Sequence, residues 1–207
     1  FSEDIDLAVL AGGKGDSARK KLLKSVEATA SKGLTCVKGD ARESKGSKFR
    51  KTVYQYPRSV EAKDFGQASP ELLIEVNTFT NPEPFEKRKL QTFIAEVLVS
   101  KGEIDLIVKF FLDGFLVNVL SVRRTLVEKI LGVIKDSYHE DPVGRMSNRI
   151  RYIYDVCLIL KNDEYRNFVA SKEFIPLCNI CIEDEKAGFF ERSDCFDQPL
   201  IAAPIFS

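Results

Sequence analysis

Short apolar segments bounded by glycine or polar residues dominate the first half of the chain, a pattern typical of β-strands. The most apolar of these segments, 72–76, holds a single acid and predicts a buried strand. Taken together, the segments predict strands at 5–10, 34–37, 52–56, 72–76 and 116–120.

A helical spacing follows the first predicted strand. Apolar residues recur there every three or four positions, with lysine and arginine between them, at Leu22, Leu23, Val26 and Ala30. This spacing predicts a helix that Asp16 or Ser17 can cap. A second, short helix is predicted over 90–100, and the polar, glycine- or proline-containing segments 39–51 and 79–89 predict loops.

From residue 122 onward the pattern is mostly helical. Apolar stripes predict helices at 122–134 and 150–158, and weaker stripes predict two more at 166–174 and 180–190. The segment 140–147 holds a proline and a glycine and predicts a linker. We therefore predict an α+β fold, with a mixed sheet and flanking helices over 1–120 and a helical C-terminal domain over 121–207.

Composition narrows the class of protein. The 207 residues carry no net charge, with 44% apolar and 30% charged residues, which is ordinary for a soluble globular protein. A neutral chain does not favour general coating of nucleic acid, so any such contact has to come from a local patch. No apolar run reaches the roughly 18 residues of a membrane span, and no signal peptide is visible, so we expect a cytoplasmic protein that does not enter a membrane.

The five cysteines have no regular spacing, which argues against a secreted disulfide framework. Cys178 and Cys181 have the spacing of a zinc or redox pair, but no second pair follows and His139 is the one histidine. Two small core residues are therefore the favoured interpretation. The chain begins with Phe1 rather than methionine, directly before a predicted strand, so we expect it to lack the N-terminal part of a longer protein.

Asp4 and Asp6 are the sharpest candidate for chemistry. Residues i and i+2 of a strand point to the same side, so their carboxylates can converge on a divalent cation with oxygen ligands. Such a metal can neutralise charge in phosphoryl transfer and align the attacking hydroxyl. The alternative is a surface strand with two solvated acids.

Glu75 lies inside the predicted buried strand 72–76. A carboxylate there is unfavourable unless it is paired or bound to a metal. If this strand lies beside the first one, Glu75 can act as a third acid that holds the metal or takes the proton of the attacking hydroxyl. Alternatively, Glu75 faces solvent or pairs with a lysine.

The helix that starts at 122 carries basic candidates. Lys129 flanks its apolar stripe and can hold nucleotide phosphates as a point charge. Arg124 is a second candidate for nucleotide binding, although it can also pair with Glu128 four residues later. On the next helix, Asp155 can either pair with Arg151 at the surface or be buried and position Lys129 or the nucleotide. An ordinary solvated helix face is the alternative for Lys129.

Five segments, in order, resemble the AbiEii/AbiGii family of nucleotidyltransferase toxins. FSEDIDL at 1–7 looks like the family's "RFSED[IL]D" signature, and LIEV at 73–76 is similar to its central acidic strand. VRRTLVEK at 122–129 resembles its "RTxxEK" helix, and RYIYD at 151–155 resembles its "RHYYD" helix, with Tyr152 where histidine is common. EKAGFF at 185–190 resembles its late "KxxFF" element.

The resemblance implies a polymerase-β-like nucleotidyltransferase. In the family, the positions matching Asp4 and Asp6 bind the metal, Mg²⁺ or Mn²⁺, and those matching Lys129 and Asp155 complete the site. It implies transfer of NMP from an NTP to an acceptor hydroxyl, on RNA such as a tRNA 3′ end or on protein. It also implies a toxin of a bacterial toxin–antitoxin or phage-defence system with a cognate antitoxin. The family's upstream "GG[ST]AL" helix is not present in this sequence.

Two other functions fit the same fold. One is a binding module that has lost catalysis, in which the acids and Lys129 need not converge. The other is a nucleotidyltransferase that modifies a small molecule, which uses the same metal site with a different acceptor pocket.

Overall fold

The computed structural model describes residues 4–57, 71–188 and 192–207. The segment 1–3 of the FSEDIDL motif and positions 189–190 of the last predicted helix lie outside these ranges. Packing divides the chain into two compact units, Phe1–Pro82 with Ile182–Asp194 and Glu83–Cys181 with Cys195–Ser207. Each unit is described by itself below, and the domain boundary predicted near residue 120 stays a prediction.

The first unit is built on a mixed five-stranded sheet with one long helix. Strand β5 runs parallel to β1 on one side and antiparallel to β4 on the other, and β4 also pairs with the short strands β2 and β3. In chain order the elements are β1 (Asp4–Ala8), α1 (Asp16–Ala30), β2 (Thr35–Cys36), β3 (Ser44–Lys45), β4 (Phe49–Gln55) and β5 (Glu71–Asn77). The predicted strands and helix are confirmed, but the predicted cap is wrong, because Gly15 precedes α1 and no side chain caps the helix.

The loop predicted over 39–51 is wrong in part. It contains β3 and the first residues of β4. β3 has only two residues, which is too short for an alternating pattern to be visible in the sequence.

Helix α1 covers one face of this sheet. Its Leu23 is fully buried against Ile74 and Val76 of β5, with Leu7 of β1 packed beside them. Because side chains alternate along a strand, the residues between these, including Glu75, belong to the opposite face. The packing of α1 thus fixes the face on which the strand acids lie.

A buried polar network ties α1 to β4. Glu27 accepts hydrogen bonds from Arg50 Nε at 2.5 Å, from the Thr52 hydroxyl, and from the Tyr54 hydroxyl at 3.2 Å. All four residues are buried. Burial alone would raise the pKa of Glu27, but the bonds from Thr52 and Arg50 outweigh it, and the pKa is lowered.

The second unit begins with a two-stranded antiparallel ribbon, and two short helices lie between its strands in the sequence. A run of helices follows the ribbon. Its elements are β6 (Phe85–Leu90), α2 (Phe93–Ser100), α3 (Ile104–Lys109), β7 (Phe115–Leu120), α4 (Val122–Asp136), α5 (Pro142–Asn148), α6 (Ile150–Ile159), α7 (Asp163–Val169) and α8 (Phe174–Ala187), whose residues from Ile182 belong to the first unit. Three 3₁₀ turns follow at Ser193–Asp197, Leu200–Ala202 and Pro204–Phe206.

The α+β class with its mixed sheet and several helices is confirmed, but two predicted irregular segments are wrong. The ribbon strand β6 occupies the last five of the eleven positions predicted as loop over 79–89, and its largely exposed, charged residues hide any alternation. Helix α5 occupies the predicted linker. Its Pro142 stands in the first turn, where proline is tolerated, and Asp141 caps the helix by accepting the N–H of Gly144.

The core of the second unit lies along α4, which packs against α6. The side chains of Leu126 and Val127 are fully buried, and Leu131 and Ile134 nearly so. Within the described ranges, no helix has both the length and the apolar character that crossing a membrane requires.

Candidate active site

A row of charged side chains crosses three neighbouring strands of the first unit. Asp6 of β1 stands opposite Glu75 of β5, and Glu75 stands opposite Lys51 of β4. Asp4, two residues before Asp6, belongs to the same face. The structure therefore places Asp4, Asp6 and Glu75 on the same face of the sheet, away from α1.

The electrostatics of this row centre on Asp6. Partial burial of its carboxyl raises the pKa of Asp6 above the ordinary 3.8, although the residue as a whole is exposed. The negative charges of Glu75 and Asp4 raise this pKa further, and the positive charge of Lys51 opposes them. The face therefore concentrates negative charge that a bound cation can relieve.

Glu75 is paired with a lysine, one of the alternatives that the sequence left open. Its Oε1 lies 2.5 Å from Lys51 Nζ, and both side chains are about one-quarter exposed. The role of Glu75 as a third acid stays a prediction.

Two carboxylates on one face fit a small hard cation. Mg²⁺ is commonly bound by one or two carboxylates, substrate phosphates and several waters rather than by a cage of protein ligands. Asp4 and Asp6 supply such a pair of oxygen donors. Among the described residues, no group of three His, Cys, Asp or Glu side chains is gathered as a metal site. The acidic face therefore fits a metal that completes its shell with substrate and water.

Removing the lysine charge should shift the titration of this face. Because Lys51 lowers the pKa of Asp6, we expect Lys51→Met to raise that pKa further. Carboxyl ¹³C NMR titration of the metal-free protein measures the change, with the exposed Lys20→Met as control. An Asp6 titration midpoint that is the same in both variants would contradict this arrangement.

A second set of predicted residues meets on helices α4 and α6 of the second unit. Lys129 Nζ lies 2.7 Å from Asp155 Oδ2. The side chain of Asp155 is 40% exposed, so the aspartate is not buried as one interpretation of the sequence had it. Its pairing nevertheless directs the lysine amine, as the other part of that interpretation expected.

Tyr152 is a member of this second set that the sequence did not single out. Its ring centre lies 4.6 Å from Lys129 Nζ and 5.6 Å from the guanidinium carbon of Arg149. Gly132 of α4 permits this packing, because a Cβ there would stand 3.1 Å from the tyrosine ring. The available signal was its position in RYIYD, where the resembled family commonly has histidine.

Arg124 serves the packing of the second unit. The residue is fully buried, and its guanidinium donates to Glu128 Oε1 at 2.8 Å and to the Glu83 carbonyl at 2.5 Å. These bonds hold the start of α4 against the segment before β6. The predicted role of Arg124 in nucleotide binding stays a prediction.

The predicted residues thus form one acidic set, with Asp4, Asp6 and Glu75, and one set on α4 and α6, with Lys129 and Asp155. No curated protein and no solved structure matches the chain significantly. The family model described as nucleotidyl transferase AbiEii toxin, type IV TA system, matches residues 1–178, which include both sets. The chain therefore belongs to the AbiEii family, the nucleotidyl transferase toxins of type IV toxin–antitoxin systems.

Proposed function

We propose that the protein transfers NMP from an NTP to an acceptor hydroxyl, on RNA such as a tRNA 3′ end or on protein, with Mg²⁺ or Mn²⁺ as cofactor. The observation that carries the proposal is that Asp4, Asp6 and Glu75 lie on one sheet face, with Asp6 opposite Glu75, and that the pKa of Asp6 is raised there. Family membership supports nucleotidyl transfer as the reaction class.

The acidic face would hold the metal through Asp4 and Asp6. The bound ion would supply positive charge that neutralises the phosphates as the bond to the leaving pyrophosphate breaks. Glu75 is committed to Lys51 in the described state. It can accept the proton of the attacking hydroxyl once a ligand draws Lys51 away, because a carboxylate held in an ion pair is a poor base.

On α4, we assign phosphate binding to Lys129. Its ammonium group is a compact charge on a flexible stem, and Asp155 and the ring of Tyr152 restrict where it points. Arg124 is assigned a positioning role, since its buried bonds fix the first turn of the helix that carries Lys129.

A transfer assay tests the proposal. The protein is incubated with each α-labelled NTP, either Mg²⁺ or Mn²⁺, and total RNA, and label in the RNA and protein fractions is counted. We expect Lys129→Met to lower transfer about 100-fold or more, as loss of a preorganised charge at a reacting phosphate does. Lys20→Met, an exposed lysine of α1, is the matched control and should transfer normally.

Two outcomes would contradict the proposal. Equal transfer by Lys129→Met and Lys20→Met would remove Lys129 from the site. Absence of transfer by the unmodified protein with all NTPs and both metals would favour the non-catalytic binding module instead.

The family's place in type IV systems supports a cognate antitoxin as the cellular partner. We propose that the protein acts on its acceptor in the cytoplasm and that this antitoxin opposes the consequence of the transfer.

A further inference from the structure

A buried carboxylate on the second unit gathers two arginines. Asp136, the last residue of α4, is 4% exposed. Arg145 of α5 donates to it from Nε at 3.3 Å, and Arg149 donates from Nη1 at 3.2 and 3.4 Å. An aspartate at a helix C-terminus is disfavoured by the helix dipole. The two guanidinium groups stabilise it there.

One arginine would be enough to neutralise Asp136, and the second leaves cationic donors in excess. Each guanidinium has five N–H groups, and the described bonds of the two side chains use only one nitrogen on each. The side chains of Arg145 and Arg149 are 36% and 33% exposed, so neither is closed off from solvent. The nearby carboxylate of Asp141 caps α5 by accepting a hydrogen bond from the N–H of Gly144.

Tyr152 connects this pair to the proposed nucleotide contact. The guanidinium of Arg149 and the amine of Lys129 both lie against its ring. Arg149 therefore contacts both the Asp136 carboxylate and the Tyr152 ring, and these two contacts restrict its guanidinium group before any ligand arrives. Preorganised arginine forks match the geometry of phosphate oxygens and can bind them bidentately.

We propose that Arg145 and Arg149, positioned by Asp136, form a phosphate-binding site next to Lys129. The proposal deepens the proposed function and rests on it for the source of the phosphate, which is either the polyphosphate of the NTP or the backbone of an acceptor RNA. Asp136 is a positioning residue in this site, because it acts through the arginines and not on the ligand.

Direct binding in the absence of metal tests the site separately from catalysis. Tripolyphosphate is titrated by calorimetry, and a short single-stranded RNA by fluorescence anisotropy. We expect the double variant Arg145→Gln/Arg149→Gln to weaken binding of at least one probe about tenfold or more. Arg151→Gln, an exposed arginine of α6, is the control and should change it less than about twofold. If RNA is the source, the salt dependence of its binding should also fall in the double variant.

Asp136→Asn separates a built site from a simple basic patch. Removal of a negative charge from an unorganised patch would strengthen anion binding, whereas loss of the positioning carboxylate should weaken it about threefold or more. Thermal unfolding of each variant checks that it is folded. The double arginine variant leaves the Asp136 carboxylate in place and tests the site independently of Asp136→Asn.

Three results would overturn the site: no binding of either probe by the unmodified protein, equal binding by the double and control variants, or tighter binding by Asp136→Asn. Failure of the proposed function would be detected in a different experiment, the transfer assay, as absence of label transfer. Phosphate binding that depends on the two arginines but is not accompanied by transfer would retain the site and reject the reaction.

Discussion

Replacing Asp6 with asparagine is expected to lower nucleotide transfer about 1,000-fold or more, because loss of the proposed metal ligand would remove several kcal/mol of charge stabilisation from the transition state. The same change is expected to raise the thermal stability of the metal-free protein. A residue that serves only the fold would not show these opposite effects.

The gain in stability follows from the raised pKa of Asp6. Below pH 3.8 the carboxyl is protonated in both the folded and the unfolded chain. The contribution of the neutral carboxyl to the stability of the folded protein is then fully present. As pH rises through the higher folded-state pKa, the carboxyl ionises where it is partly buried and next to the charges of Glu75 and Asp4, and that contribution is lost. Asparagine cannot ionise, so the variant should keep its stability across this range.

Label transfer and thermal unfolding between pH 3 and pH 8 measure the two effects. Asp105→Asn, a change at an exposed acid of α3, is the matched control for both. We expect the difference in melting temperature between Asp6→Asn and the unmodified protein to grow as pH rises, and added Mg²⁺ to stabilise only proteins that retain Asp6. Full transfer activity in Asp6→Asn would contradict the proposed role of Asp6 as a metal ligand.

The acidic set shows how far sequence reasoning reaches. Alternation along a strand places Asp4 and Asp6 on one side, and the apolar residues around Glu75 indicate a buried strand. The parallel pairing of β1 with β5 depends on contacts between segments some 70 positions apart in the sequence, which no local pattern contains. The choice among the alternatives for Glu75 depended on Lys51, which sits in a segment predicted as loop.

Prediction of the contact between Lys129 and Asp155 from the sequence was limited by a different cause. Residues four apart on one helix can form a local ion pair, so the sequence predicted Arg151 as a candidate partner of Asp155. In the structure Asp155 pairs with Lys129 on another helix. Similarly, Asp136 and Arg149 lie in segments whose sequence gives no sign that they meet, because α5 between them was predicted as a linker. Pairings between helices depend on how the helices pack, and periodicity does not encode that.

Glu27 could have been recognised from the pattern but was not. It stands four residues after Leu23 and next to Val26, on the apolar stripe of α1, where a charge requires a partner. The partner is Arg50, which lies in the segment predicted as loop. The sequence therefore gave no indication of which residue would pair with a buried Glu27.

Glu27→Ala is expected to destabilise the protein by about 3–5 kcal/mol, since it leaves the buried guanidinium of Arg50 without its counter-charge. Thr52 and Tyr54 lose their acceptor in the same step. For a chain of this size the loss corresponds to a fall in melting temperature of about 6–20 °C. Glu96→Ala, at an exposed position of α2, is the control and should change stability by less than about 1 kcal/mol.

The pH dependence separates the charge of Glu27 from its hydrogen bonds. Because the folded-state pKa of Glu27 is lowered from 4.5, its contribution to stability is present above pH 4.5 and is lost as pH falls through the lower value. Glu27→Gln retains an acceptor for Thr52 but has no charge for Arg50, so it should be less damaging than Glu27→Ala and should lack this acid-dependent loss. Urea unfolding at a series of pH values from 7 down to 3 measures both. If the two variants and the unmodified protein lose the same free energy of unfolding on acidification, the ion pair between α1 and β4 does not stabilise the sheet that carries Asp6 and Glu75.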